Sequence, residues 1–189
     1  MKALSPQQAL DQIGSGDPDP VYLILGDDEL EKAEVADAFE QIVDEGVRAF
    51  NVERLHGMDA SLGDVVEATR MLPMMASRRV VILRRAELAL VPKRESKAVT
   101  ADLEAFDAYL DAPSDHATLV LVCDDLDRRR NTTKRLIANA TIVTCGVVES
   151  VADAERWVRR RVAAEDVSIE PAAARMVAAL AGPDLSRLR

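Results

Sequence analysis

At 189 residues, 48% of them apolar and 3% aromatic, the chain suits one α/β domain with at most a small appendage and a helix-rich core. Its net charge of −9 sits in the first fifty residues, where twelve Asp or Glu face three Lys or Arg, while the rest holds 21 of each. That is the wrong sign for a free-standing nucleic-acid binder, which draws most of its affinity from phosphate contacts.

No apolar run approaches the roughly 20 residues of a membrane span. The start, MKALSPQQALDQI, lacks a signal peptide's apolar stretch and cleavage site, so a cytoplasmic location is expected. Cys123 and Cys145 form no CxxC pair and lie in or beside apolar runs. They read as reduced core residues, with no metal site.

Ser5 and Pro6 open a short amphipathic helix that ends in the turn-rich linker GSGDPDP. Val21–Leu25 is a buried strand by its short continuous apolar run. The pattern predicts a helix over 28–45, with Leu30, Ala33, Phe39, Ile42 and Val43 near one face, and a strand over Phe50–Leu55. Ser61 caps a helix running to about Met71 and into Pro73, and RVVIL (79–83) is the next strand. AELALVPKRESKA reads as loop, followed by a helix at about 101–111. ATLVLVC (117–123) is the most apolar strand, and a basic helix over 127–138 leads to a last strand, Thr141–Cys145.

Five strands alternating with helices predict an α/β fold with a mostly parallel sheet covered on both faces. The match of positions 26–33 and 84–85 to the two nucleotide elements of a P-loop ATPase, both altered, makes it a P-loop-type fold without ATPase chemistry. After Gly146 the strands stop. Ser150 with Asp153 starts a helix to about Ala164, and Pro171 starts a second one that Gly182-Pro183 ends. Asp184–Arg189 reads as the first turn of a third. The expected domains are therefore 1–146 and an incomplete helical domain, 147–189.

The stretch GDDELEKA (26–33) stands where a phosphate loop, G-x-x-x-x-G-K-[ST], would follow a strand and open a helix. Gly26 and Lys32 match, but Glu31 replaces the second Gly and Ala33 offers no hydroxyl for Mg²⁺. Asp27, Asp28, Glu29 and Glu31 would set up to four negative charges beside a polyanion. They serve better as N-cap and first-turn residues of a helix, which leaves Lys32 on a solvated face. An acidic pair should end an inner strand of a P-loop ATPase, yet Arg84-Arg85 follow Val80–Leu83. Asp124-Asp125 could be offered as the metal pair instead, but they read as turn formers, with Asp124 or Asp127 capping the next helix. A phospho-acceptor receiver would need an Asp where Arg84 stands. His56 and His116 are isolated, and no Ser/His/Asp or Cys/His set is evident. Neither a catalytic group nor a cofactor is expected.

In order and spacing, VYLILGDDELEKAEVADAF, LPMMASRRVVILRRAE, LEAFDAYLDAPSDHATLVLVCDDLDRRR and ADAERWVRRRVAAEDVSIEPAAARMVAALAGPDLSRLR resemble the delta subunit of bacterial DNA polymerase III, a part of the sliding-clamp loader. The resemblance implies an AAA+-like first domain without a working nucleotide site, then a helical lid. A collar domain that joins the pentameric loader normally follows and is absent here, so a piece of a longer protein or a short form is expected. The implied partners are the beta sliding clamp and, through the full-length protein, the gamma/tau ATPase and delta-prime subunits, with any DNA contact weak or indirect and no membrane.

The family's clamp-binding motif maps onto Arg70-Met71-Leu72-Pro73-Met74-Met75, with Met74 and Met75 as the two apolar anchors. Arg70 and the Met pair depart from its usual Gln start and Leu-Phe end. A Met-rich helix end is often core. Here, however, Pro73 ends the helix, connectors run over the surface, and an exposed apolar pair needs a partner. Arg128, Arg129, Arg130, Lys134 and Arg135 are the densest basic cluster, offered to DNA or a neighbouring subunit or simply solvated beside Asp124, Asp125 and Asp127. Arg156 and Arg159–Arg161 have the same two readings. The alternatives for the whole chain are an active AAA+ motor subunit, which needs the missing phosphate loop, and a DNA-binding module built on the 127–138 helix.

Overall fold

A computed structural model describes residues 2–92 and 96–188 of the chain, which divides into two compact units, Met1–Cys145 and Gly146–Arg189. In chain order the first unit contains β1 (Lys2–Leu4), α1 (Pro6–Gly14), β2 (Val21–Gly26), α2 (Glu29–Ala38), α3 (Arg48–Asn51), β3 (Val52–His56), α4 (Leu62–Arg70) and β4 (Arg79–Arg84). It continues with α5 (Ala86–Leu90), α6 (Lys97–Asp111), β5 (Ala117–Val122), α7 (Asn131–Asn139) and β6 (Thr141–Cys145). The strands form one parallel sheet in the order β1-β6-β2-β5-β4-β3.

The central strands are apolar at most positions because both faces are covered, with Arg79 and Thr118 as buried polar exceptions. Alternation assigns their side chains. Val21, Leu23, Val81, Leu83, Leu119 and Leu121 join Val65, Val66, Phe106, Tyr109 and Leu136 from α4, α6 and α7 in one core cluster. Tyr22, Ile24, Val80, Ile82, Val120 and Val122 join Ala9, Ile13, Val35, Ala36 and Phe39 in the other. Side-chain caps start α1, α2, α4 and α6. Ser5 and Ser61 close capping boxes with Gln8 and Asp64, and Ser96 and Asp28 cap α6 and α2.

The sheet has six strands rather than five. Three-residue β1 carries no period to read. It is held at the edge by pairing with β6 and by Asp19, whose carboxylate takes Lys2 at 2.6 Å and the Thr141 hydroxyl at 2.7 Å. The helix expected over 28–45 stops at Ala38 and tightens into a 3-10 turn over Phe39–Ile42, which keeps Phe39 buried 4.5 Å from the Tyr22 ring and Val43 in the core. Phe50 belongs to α3, not to the strand expected from it. Ala86–Leu90 is helical where a loop was expected, since Ala86 and Leu90 pack into the core; residues 93–95 of that segment lie outside the described residues. The helix expected at 101 begins at Lys97, under the Ser96 cap. Arg128–Arg130 precede α7, because the Asp127 carboxylate accepts from the Arg129 N–H and turns the chain before Asn131. Neither Asp124 nor Asp127 caps that helix.

The second unit is helical: α8 (Val151–Ala163), α9 (Pro171–Ala181) and α10 (Leu185–Leu188). Ser150 and Asp153 start α8, Pro171 sits at the first turn of α9, and Gly182 ends it at φ 67°. Trp157, Val158 and Ala174 form its small core, with Val162, Ile169 and Leu188 packed against them. Among the described residues no helix is long and apolar enough to cross a membrane.

Candidate functional site

The C-terminal ends of the strands carry the residues of the phosphate-loop comparison. β2 delivers Gly26, the Asp28 carboxylate caps α2 by accepting from the Glu31 N–H at 3.1 Å, and Lys32 lies one turn into the helix. Lys32 is not on a solvated face. Its side chain is 1% exposed, and its ammonium meets Glu29 Oε1 at 2.6 Å, Asp124 Oδ1 at 2.7 Å and the Cys123 carbonyl at 3.4 Å. An ammonium has three N–H donors, and here three acceptors of the chain itself take them. β5 is the direct neighbour of β2, so Asp124, two residues beyond its end, reaches under α2.

Burial works against the Lys32 ammonium, but hydrogen bonds to Asp124 and Glu29 more than offset it and hold its pKa above the usual value. The Lys32 hydrogen bond, against some desolvation, keeps the Asp124 carboxyl below the usual carboxylate range. Cys123 beside them is a free, buried thiol that burial pushes up to about 12. Glu31 is buried, and Ala33 follows partly buried on α2.

Gly26 has a packing reason of its own. It pairs with Cys145 on β6 at φ 127°, and a Cβ there would stand 1.9 Å from the Cys145 carbonyl oxygen. Gly26→Ala is therefore expected to lower stability by about 2–3 kcal/mol, read as a shift of the denaturation midpoint at unchanged m-value.

Arg84 ends β4 and Arg85 follows it before α5, where the inner-strand acidic pair was compared. Arg84 pairs with Asp37, and Arg85, at φ 54°, contacts Glu87 at 2.6 Å and Asp124 at 3.1 Å. Asp124 is thus held by Lys32 and Arg85. Among the described residues no cluster of His, Cys, Asp or Glu could hold a metal ion.

The N-terminal ends of β3 and β4 carry the other expected site. α4 ends at Arg70, which is exposed, and Met71 already has extended backbone. Met71, Leu72, Met74 and Met75 are all exposed, Met74 by 55% and Met75 by 87%, with Pro73 partly buried between them. This apolar surface is held from beneath by residues that the sequence pattern did not single out. Buried Asn51 accepts the Met74 N–H at 2.6 Å and donates to the Met74 carbonyl at 2.7 Å. Buried Arg79 donates from Nε to the Ala68 carbonyl at 2.8 Å and from Nη1 to the Phe50 carbonyl at 2.8 Å. Its Nη2 pairs with Glu53 and lies 3.8 Å from the Met71 sulfur. Phe50 itself is 58% exposed.

Of the basic cluster, Arg130 lies 3.6 Å from Asp127, and Arg135 meets Asp111 at 2.7 Å and Asp107 at 3.9 Å. Arg128, Arg129 and Lys134 are exposed. In the second unit Arg156 pairs with Asp153, and Arg161 lies 3.6 Å from Glu165. His56 stands at the end of β3, where its Nδ1 accepts the Met58 N–H at 3.2 Å.

Residues 22–146 match the family described as DNA polymerase III, delta subunit. No curated protein matches the chain. Among solved structures, the Bacillus subtilis DNA clamp loader delta protein superposes with a TM-score of 0.69 at 20% identity, over 97% of this chain and 54% of that one. The Thermotoga maritima RuvB Holliday junction branch migration motor gives 0.52 at 19% identity, over 97% and 56%. A DNA polymerase III gamma subunit-related protein from Thermotoga maritima gives 0.50 at 16%, over 90% and 58%. The chain spans about half the length of these structures.

Proposed function

The chain belongs to the DNA polymerase III delta-subunit family, and from that premise we propose that it is a cytoplasmic, non-catalytic part of the clamp loader that binds the beta sliding clamp and favours the open ring. The observation that carries this reading is the exposed Met74-Met75 pair on an organised connector. Methionine is flexible and polarizable and suits adaptable apolar contacts, so the pair fills a hydrophobic pocket on the clamp with Met71 and Leu72 beside it. A partner that prefers the open ring shifts the ring's equilibrium by its differential affinity, with no reaction of its own.

The same domain has given up nucleotide chemistry. The Lys32 ammonium is spent on Glu29, Asp124 and the Cys123 carbonyl, and two guanidinium groups, Arg84 and Arg85, stand where a metal-binding acidic pair is needed. ATP is bound by sister subunits of the gamma/tau type, which with delta-prime join this protein in the assembled loader. Exposed Arg128, Arg129 and Lys134 add at most a weak DNA or subunit contact.

Size-exclusion chromatography of the chain with its cognate clamp tests the reading: co-elution supports it, and separate elution at micromolar concentrations overturns it. Titration with Mg-ATP in a calorimeter is expected to give no binding heat. A saturable heat would return the chain to the motor-subunit class.

A further inference from the structure

Met75 has φ 56°, a left-handed backbone conformation that a non-glycine side chain adopts only at a cost and that persists where its surroundings over-determine it. In Met75 the strained residue is also the most exposed large apolar side chain of the tip.

What over-determines it is visible one residue back. The Asn51 carboxamide is fully buried, so it cannot itself touch a partner. It binds both backbone groups of Met74, Oδ1 taking the N–H at 2.6 Å and Nδ2 giving to the carbonyl at 2.7 Å, while Nδ2 also reaches the Val47 carbonyl at 2.9 Å. Few side chains carry a donor and an acceptor side by side at this spacing. Aspartate lacks the donor, and leucine, of similar size, lacks both. Val47 lies in the turn before α3, and β3 follows Asn51 at once, so one amide ties the tip to the start of the edge strand β3, at its buried residue Val52. Arg79 closes the other end of the connector through Ala68 and Phe50.

We infer that Asn51 is a positioning residue of the partner-binding tip, holding Met74 and Met75 in their binding conformation before the partner arrives. This rests on the clamp-binding reading above. Its consequence is kinetic. When only a fraction of molecules carries the competent tip, apparent affinity falls by that fraction. The loss appears in association, because a bound tip is held by the partner. A residue that contacts the partner directly loses affinity mainly through faster dissociation.

Two measurements on the full chain decide it. In hydrogen exchange of the free wild-type protein, the Met74 amide is expected to be protected although its side chain is exposed. An unprotected Met74 amide overturns the inference without any variant. In surface-plasmon kinetics on the cognate clamp, Asn51→Ala is expected to bind about tenfold more slowly, with its dissociation rate within twofold of wild type. Asn51→Ser, a smaller perturbation, should move in the same direction. An unchanged association rate, or a loss confined to dissociation, overturns the inference. Failure of the wild-type chain to bind the clamp instead overturns the reading beneath it, which separates the two failures.

Discussion

Met74→Ala combined with Met75→Ala is expected to weaken clamp binding on the order of 100-fold and to leave the unfolding midpoint unchanged. Both side chains lie largely in water in the free chain, 55% and 87% exposed, so shortening them opens no cavity and removes little packing. In the complex the same atoms leave water. Burying a Met side chain fully is worth about 1.5–3 kcal/mol, and truncation to Ala forfeits most of that. Two such losses come to about 3 kcal/mol, and 1.4 kcal/mol is tenfold in affinity. The variant also separates interface from core. A core methionine pair would lower stability by several kcal/mol when truncated, so an unchanged midpoint with lost binding is specific to a surface role. Surface-plasmon titration gives the first quantity and urea denaturation the second.

Glu29→Ala combined with Asp124→Ala is expected to destabilise the fold by about 3 kcal/mol, whereas Lys32→Met changes stability by less than about 1 kcal/mol. The asymmetry follows from which partner is buried. Removing the two carboxylates leaves an ammonium at 1% exposure with only the Cys123 carbonyl, and an uncompensated buried charge is among the larger single penalties in proteins. Replacing Lys32 by an apolar chain of similar length removes the charge and keeps the stem packing. It leaves carboxylates that water already reaches, Glu29 at 74% and Asp124 at 40% exposure.

The pH dependence carries the same signature. The folded-state pKa of Asp124 is depressed, first by the Lys32 hydrogen bond. Its contribution is therefore fully present above the unfolded value of about 4 and is lost as pH falls through the lower folded value, where the unfolded chain binds more protons. Wild type and double variant should begin to converge in stability as pH falls below about 4 and meet only below the depressed folded value. Parallel stability curves across that range would separate the cluster from the acid response.

Much of this architecture could be read from residue order, for identifiable reasons. Continuous runs such as ATLVLVC announce strands covered on both faces, and β5 is buried at every position. Ser5, Ser61 and Ser150 each precede an acidic or amide residue by three and each opens a helix. Short elements escaped. β1 has three residues, and α5 has five that mix Ala, Glu and Leu beside a polar stretch. Both are set by tertiary contacts, the pairing with β6 and the burial of Ala86 and Leu90, that no local period encodes.

The charged site was the least legible. Lys32 follows acidic neighbours in a first helical turn, which locally describes a solvated face, and its burial depends on Asp124, 92 residues away. That pairing exists only because β5 enters the sheet beside β2. Asn51 and Arg79 were hidden for the same reason, since each acts across the sheet end on residues remote in sequence. A faint signal was present in Arg79, a charge opening an otherwise apolar run, with Glu53 available on the neighbouring strand. The tip residues 70–75 came into view through motif resemblance and Pro73. The pattern around them said only that an apolar connector lay between a helix and a strand.

The most direct measurement is a surface-plasmon titration of immobilised cognate clamp with the wild-type chain and the Met74→Ala/Met75→Ala variant at matched concentrations. The account predicts saturable binding of the wild type and binding weaker on the order of 100-fold by a variant whose denaturation curve overlays that of the wild type. Equal binding of both proteins, or no binding of either, would contradict it.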